Sequence, residues 1–253
     1  MTRFIAPMIL LVVTVSGAGA QGRQNTTQPA AKQKAPLSFT DRLLKFLGIS
    51  SSPSTLKGPG DEVATGDIWL ADLDAKTTRA LTSTGGYRSP IFISGMKDVL
   101  ALRGEDVIRI PFEVGEAKRL YSVEGIAKLV GCGSEDPGKA LILLQGSTDG
   151  RPRVGLLTIR TGATAVMPYD ASSQGDLQMV ESLQGWTRTY GDQEIYVESR
   201  SKQALSGTVE WTEVFLRAGN ANPVAVSLCD GTDCGQPSLS DNRRLLVFVK
   251  ARE

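Results

Sequence analysis

The chain has 253 residues, with 28 basic and 27 acidic side chains and no histidine. The absence of His excludes Ser-His-Asp and Cys-His nucleophile systems, and it excludes zinc or copper sites ligated by His. The net charge is near zero and Lys and Arg form no local run, which argues against nucleic acid as a partner.

The amino-terminal residues predict export. Arg3 precedes an apolar run from Phe4 to Val15, and small residues follow the run, as in a secretory signal peptide. We expect cleavage between Ala20 and Gln21, and therefore a mature chain that is periplasmic or otherwise secreted. The alternative is a retained anchor, but the run is shorter than the roughly 20 residues of a membrane span. No later run is long enough, so we expect no membrane span in the mature chain.

Residues 21–60 are predicted to be a linker that contains one short helix. Residues 21–36 are polar, without aromatic or β-branched apolar side chains, so nothing there offsets the entropy of ordering. A capping box at Ser38-Phe-Thr-Asp41 and a stop at Gly48 predict a helix over about residues 38–48.

This helix is amphipathic, with Phe39, Leu43 and Leu47 on one face. A helix of about ten residues is marginal alone in water, so its apolar face needs a partner surface. We expect it to dock on its own domain. A partner protein, a membrane surface and disorder are the alternatives.

Residues 61–253 are predicted to be one repeat domain. Its first unit contains Asp67-Ile-Trp-Leu-Ala-Asp-Leu-Asp74, Arg79-Ala-Leu-Thr82 and the turn and strand Ser94-Gly-Met-Lys-Asp-Val-Leu100. These motifs resemble the blade unit of TolB-type, WD-repeat-like β-propellers, and three more degenerate copies follow. The positions that we take as equivalent are Leu81, Leu120, Val166 and Val226. The resemblance implies an all-β propeller whose blades are four-stranded antiparallel sheets.

The spacing of the equivalent positions predicts about four blades. The domain begins with outer-strand motifs in residues 67–82 and ends with inner-strand motifs in residues 234–250, so the two pieces complete one blade. We expect a closed monomer with the short helix outside the propeller; an open half that dimerises is the alternative. The third unit carries an insertion between Tyr169 and Trp186, where residues 170–176 are interpreted as a loop.

The turn residues predict where the backbone takes the left-handed conformation. Gly95 and Gly138 are predicted to occupy it in two of the strand-reversing turns. In the last turn, Asn242 is predicted to take the place that Gly would otherwise fill.

The three cysteines suggest one cross-link. In an oxidising compartment Cys229 and Cys234 would close a short loop by a disulfide and leave Cys132 unpaired. Three separate thiols are the alternative.

The sequence predicts no catalytic, cofactor-binding or metal-binding residue. The segment Ser134-Glu-Asp-Pro-Gly138 is close to the box of sialidase-type propellers but lacks its final Trp. Acidic turns could offer oxygen ligands to calcium, although neither has a full ligand set; they hold Asp170 with Asp176, and Asp230 with Asp233. Three tryptophans could line a carbohydrate surface but are expected to pack between blades, and they are Trp69, Trp186 and Trp211.

We therefore expect an exported, non-catalytic propeller that uses the loops of one face to bind another protein, as the TolB resemblance implies. The alternative is a propeller that binds or processes a glycan or peptide with paired carboxylates at its channel mouth. Two acids facing one another about 5 to 10 Å apart would favour that alternative.

Overall fold

The computed structural model describes residues 37–49, 65–113, 115–146, 150–205 and 207–252. The predicted signal peptide, its cleavage site at Ala20 and Gln21, and most of the predicted linker lie outside these residues. In chain order the elements are α1 (Phe39–Leu47), β1 (Asp67–Asp72), β2 (Thr77–Ala80), β3 (Tyr87–Phe92), β4 (Asp98–Arg103), β5 (Asp106–Pro111), β6 (Lys118–Ser122), β7 (Ile126–Cys132), β8 (Lys139–Leu144), β9 (Arg153–Thr158), β10 (Thr164–Met167), α2 (Gln174–Ser182), β11 (Arg188–Tyr190), β12 (Gln193–Ala204), β13 (Gly207–Ala218), β14 (Val224–Ala225), β15 (Cys234–Leu239) and β16 (Leu245–Lys250).

The strands form four sheets of four antiparallel strands each. Blade 1 has the strand order β3-β4-β5-β6, blade 2 has β7-β8-β9-β10, and blade 3 has β11-β12-β13-β14. Blade 4 has the order β15-β16-β1-β2 and so joins the two ends of the domain. The predicted fold class and blade number are confirmed.

The second strand of blades 1, 2 and 4 is apolar on both faces. In β8, Ala140 to Leu144 are all buried, and in β16 Leu246 to Val249 are buried. A strand covered on both faces needs a continuous apolar run, which is how these segments appear in the sequence.

Pairing between β1 and β16 closes blade 4. The register runs over six residue pairs, from Asp67 opposite Lys250 to Asp72 opposite Leu245. Gly66 enters this junction, where an added Cβ would lie 2.1 Å from the carbonyl oxygen of Lys250. Arg252 Nε donates to Asp67 Oδ2 at 2.9 Å and holds the same corner. The predicted splice of residues 67–82 with residues 234–250 is confirmed.

Apolar clusters join most neighbouring blades. Leu102 of blade 1 and Leu129 of blade 2 belong to one cluster. Val249 of blade 4 packs with Val99 of blade 1 in a second cluster. In a third cluster, residues of blades 3 and 4 come together, among them Val214 and Phe248.

The two helices form a fourth cluster with blade 2. Phe39 and Leu43 of α1 and Met179, Val180 and Leu183 around α2 pack on blade 2. Among the described residues, this cluster contains none from blade 3. Helix α1 therefore docks on its own domain, outside the blades but against one of them. Neither of these helices is long and apolar enough to cross a membrane.

Part of the insertion of the third unit lies between Tyr169 and Trp186, as predicted, but part of the predicted loop is helical. Residues 170–176 were expected to be irregular, whereas α2 begins at Gln174 after the N-cap Ser173. Ser173 Oγ accepts a hydrogen bond from Asp176 N at 3.3 Å, which satisfies one amide of the first turn. Burial of Met179 and Val180 against blade 2 stabilises the remainder.

Candidate functional site

The axial channel is narrow where the inner strands meet. A cavity of about 40 Å³ lies between Phe92, Val130, Tyr190 and Leu239, which belong to the four inner strands. Leu47 of α1 also lines this cavity, so the helix end helps to fill the channel. The space is too small for more than a water molecule or two.

A larger cavity of about 220 Å³ lies at the channel mouth, beside Ser134, Tyr190, Asp241 and Arg243. Among the described residues that line the two axial cavities, Asp241 is the one carboxylate. Asp241 Oδ2 accepts a hydrogen bond from Ser94 Oγ at 2.7 Å. The mouth therefore does not place two facing acids around one pocket.

Two titratable side chains beside the channel are held in their neutral forms. Burial raises the pKa of the Cys132 thiol to about 12. Burial also raises the pKa of Tyr190. Because the thiolate is the reactive form of cysteine, Cys132 is a poor nucleophile at neutral pH.

The segment that resembles a sialidase box anchors α1. Ser134 Oγ donates to the carbonyl oxygens of Lys45 and Phe46 at 3.2 and 3.3 Å, and Ser134 N donates to Phe46 O at 2.9 Å. Asp136 pairs with Lys139 at 2.8 Å, and this hydrogen bond lowers the pKa of Asp136. The segment satisfies the carbonyl groups at the end of a helix and is structural.

The carboxylates of the acidic turns accept hydrogen bonds from nearby backbone and hydroxyl groups. Asp170 Oδ1 accepts from Ser172 Oγ at 2.7 Å, and this hydrogen bond lowers the pKa of Asp170. Asp176 Oδ2 accepts from Asp170 N at 3.0 Å, and Asp233 Oδ1 accepts from Thr212 N at 2.8 Å. Nowhere in the described ranges do three His, Cys, Asp or Glu side chains come together as a metal site.

The tryptophans do not form one surface. Trp69 and Trp211 belong to the apolar cluster between blades 3 and 4. Trp186 lies elsewhere, with Lys128 Nζ 3.5 Å from its ring centroid. That ammonium also donates to the carbonyl oxygens of Gln184 and Gly185 at 2.7 and 2.8 Å.

Among the described residues, a two-stranded ribbon on blade 3 is notably exposed. Strands β12 and β13 pair over all twelve of their residues, whereas β11 has three residues and β14 has two. We call residues 199–204 and 207–212 the distal ribbon. Nearly all of it is exposed, and Leu205 at its tip is fully exposed. At about 3.4 Å per residue, the distal ribbon extends roughly 20 Å.

Aromatic and cationic side chains stiffen the base of this ribbon. The rings of Tyr196 and Phe215 stack with their centroids 5.8 Å apart. Arg200 lies 4.5 Å from the centroid of Phe215, and Arg217 lies 5.9 Å from that of Tyr196. Arg217 also pairs with Glu194 on the opposite strand. These contacts add side-chain interactions to the backbone pairing of β12 with β13 at the base of the ribbon.

An apolar groove lies at the opposite end of β13 from the distal ribbon, between the outer edges of blades 3 and 4. Its volume is about 400 Å³, and its walls include Leu73, Leu216, Val224 and Leu228. Val224 and Leu228 are each 61% exposed, which is unusual for large apolar side chains that lie side by side. We call this concavity the rim groove.

The four antiparallel sheets confirm the predicted β-propeller architecture. No protein-family model matches the sequence, and no curated protein matches it. Among solved structures, the chain is similar to a protein assigned as TolB from Agrobacterium tumefaciens, with 11% identity and a TM-score of 0.37 over 72% of this chain. It is also similar to the β-propeller domain of the Trilobed protease from Pyrococcus furiosus, with 10% identity and a TM-score of 0.27 over 70% of this chain. A third is the AtxE2 isopeptidase with bound astexin, with 12% identity and a TM-score of 0.28 over 83% of this chain.

The chain spans 60%, 66% and 43% of the lengths of these three proteins. The activities named for these three proteins are their own.

Sequence reasoning did not find the distal ribbon or the rim groove. The distal ribbon is largely exposed on both faces, so it carries no alternation of buried and exposed residues. The rim groove depends on the distance between blades 3 and 4, which no local sequence pattern encodes. One available signal was the length of the third unit, because its extra residues supply both α2 and the long strands.

Proposed function

We propose that this chain is an exported, non-catalytic β-propeller that binds another protein through the rim of blade 3. The observation that carries the proposal is the distal ribbon, which projects beyond both neighbouring strands and exposes Leu205 and Val209. The exposed distal ribbon and the apolar rim groove, at the two ends of β13, together offer polar and apolar contacts, which is the usual composition of a protein-binding surface.

The axial channel supports a non-catalytic role. A carboxylate-based enzyme would need two acids facing each other across the channel mouth. Leu47 helps to fill the channel, and Asp241 is hydrogen-bonded to Ser94. These features leave the rim of blade 3 as the better candidate for a binding surface.

The disulfide between Cys229 and Cys234 supports export. Such bonds form and persist outside the reducing cytosol. Amino-terminal sequencing of the protein recovered outside the cytoplasm tests this part of the proposal. The expected first residue is Gln21, and a chain that retains Met1 in the cytoplasm would contradict export.

Site-specific photocross-linking tests the binding surface. A photoreactive amino acid replaces Leu205 or Leu228 in cells that produce the protein, and Met96 serves as a matched control. Met96 is 53% exposed and lies in a turn of blade 1. We expect one discrete protein adduct from Leu205 and Leu228 and none from Met96.

Equal adducts from all three positions, or no adduct from the rim positions, would contradict this surface. Deleting residues 37–49 or 170–185 would be a poor test, because α1 and α2 pack in the core. The substitution Leu205→Asp, which leaves the core intact, should weaken the adduct formed from Leu228.

A further inference from the structure

The outer strand of blade 3 is much shorter than the outer strands of the other blades. Strand β14 has two residues, whereas β2 and β10 have four and β6 has five. Most of the outer edge of β13 therefore lacks a partner strand.

The loop of residues 226–234 covers this edge. Val226 N donates to Val214 O at 2.9 Å, and Val214 N donates to Ser227 Oγ at 2.9 Å. Two residues earlier, Thr212 N donates to Asp233 Oδ1 at 2.8 Å. Side chains of the loop thus satisfy amides that a longer β14 would otherwise satisfy.

Further bonds hold the cysteines against β13. Cys229 N donates to Glu213 Oε1 at 3.2 Å, and Thr212 Oγ1 donates to the carbonyl oxygen of Cys234 at 2.9 Å. Cys229 and Cys234 are buried, and Glu213 is only 8% exposed. The Cα atoms of Cys229 and Cys234 lie 6.2 Å apart, and their sulfur atoms form a disulfide bond.

The backbone of this covering loop takes an unfavourable conformation at two residues. Leu228 and Asp230 have φ values of 51° and 39°, in the left-handed region that side chains with a Cβ avoid. Leu228 gains no burial in compensation, since its side chain is 61% exposed. A backbone of this kind persists only where its surroundings hold it in place.

We propose that the disulfide between Cys229 and Cys234 is a redox-sensitive latch that keeps this loop on the edge of β13. A dithiol reductant supplies two electrons and two protons, the Sγ–Sγ bond breaks to give two thiols, and the reductant becomes a cyclic disulfide. The strained loop then moves away from β13 and exposes the amides of Thr212 and Val214 to solvent. The rim groove changes with it, because Val226 and Leu228 line that groove.

Hydrogen exchange of the full-length protein, followed by mass spectrometry, tests the latch. The oxidised protein is compared with protein treated with dithiothreitol, and alkylation counts the thiols that reduction releases. We expect exchange over residues 212–214 to become about ten-fold faster on reduction, as for a local opening, while β8 exchanges at its original rate.

Cysteine variants distinguish the effect of losing the disulfide from any effect of losing Cys132. Exchange in the double variant Cys229→Ser, Cys234→Ser should match that of the reduced protein, and Cys132→Ser should match the oxidised protein. Unchanged exchange over residues 212–214 would overturn the proposal. Uniformly faster exchange that includes β8 would also overturn it, since the bond would then support the whole fold. If the double variant does not fold, the natural protein reduced in its folded state decides between these outcomes.

Discussion

The reactivity of Cys132 tests how strongly burial beside the channel suppresses the chemistry of a thiol. Burial raises its pKa to about 12, so at pH 8 almost no thiolate is present. We expect iodoacetamide to leave Cys132 unmodified in the native protein and to modify it after denaturation, as mass spectrometry would show. Rapid labelling of the native protein would contradict this assignment.

The same shift predicts a pH dependence of stability. An acid whose pKa is raised by folding stabilises the fold below its ordinary pKa and loses that contribution as pH rises through the folded value. The free energy of unfolding should therefore decrease between about pH 9 and pH 12, and it should decrease less steeply in Cys132→Ser.

Gly133 makes room for α1 at the end of β7. An added Cβ would lie 2.6 Å from Phe46 Cε2 and 2.8 Å from the carbonyl oxygen of Asp136. We expect Gly133→Ala to reduce the free energy of unfolding by about 1–3 kcal/mol in urea denaturation.

Gly175→Ala is the matched control, because the nearest atom to its added Cβ is Ser173 Oγ at 3.9 Å. It should be neutral or stabilise α2 by up to about 1 kcal/mol. An equal loss in both variants would mean that contact with α1 is not the cause.

Single residues also show the limit of sequence reasoning about turns. Gly95 has a φ of 70°, as predicted, but Gly138 is not left-handed, and in the last turn Arg243 has a φ of 59° in place of Asn242. Asn242 instead uses its side chain, whose Oδ1 accepts from Ser240 Oγ at 2.8 Å and from Arg244 N at 3.1 Å. Asn can stabilise a turn through its backbone or through its side chain, so its presence predicts the turn but not the conformation of each residue.

At the level of elements, Lys128 links β7 to the segment that follows α2. Its ammonium binds the carbonyl oxygens of Gln184 and Gly185. We expect Lys128→Met to lower the free energy of unfolding by about 1–3 kcal/mol, because Met keeps the apolar stem but removes the charged donor from both carbonyl oxygens.

Lys118→Met on the exposed strand β6 is the control and should change stability by less than about 0.5 kcal/mol. Chemical denaturation of both variants measures the difference. Similar losses in the two would show that the carbonyl contacts of Lys128 contribute nothing specific.

The elements differ in how readily the sequence reveals them. Helix α1 was predicted because its cap at Ser38 and its stop at Gly48 are local signals, and the structure has both. Helix α2 has a similar cap at Ser173, but its apolar positions are too few to form a clear stripe. The distal ribbon has no buried face, so no periodicity could indicate it.

For the whole molecule, closure of blade 4 is the feature on which the ring depends. Ile68 of β1 is completely buried and lies opposite Val249. We expect Ile68→Asp to cost at least about 4 kcal/mol, since it buries a charge without a partner, and circular dichroism should show loss of the cooperative fold.

Ala80→Asp on β2, the exposed outer strand of the same blade, is the matched control. It should leave the melting transition within a few degrees of that of the natural protein. A mild effect of Ile68→Asp would indicate that the other three blades fold without the closing pair.

The overall architecture was predictable because the two ends of the domain carry complementary halves of one blade. The surface on which α1 and α2 pack, that of blade 2, was not predictable, since it forms only when the strands of that blade assemble. The monomeric state stays a prediction, and closure within one chain favours it over an open half that dimerises.

The junction of β1 with β16 has a kinetic consequence. Each of the other three blades pairs strands that follow one another along the chain, whereas Asp67 must meet Lys250 from the far end of the domain. Contacts between such distant segments form slowly, because a long loop must close before any favourable contact offsets its entropy. Blades 1 to 3 can therefore nucleate first, and sealing of the ring should set the rate at which the protein reaches its native state.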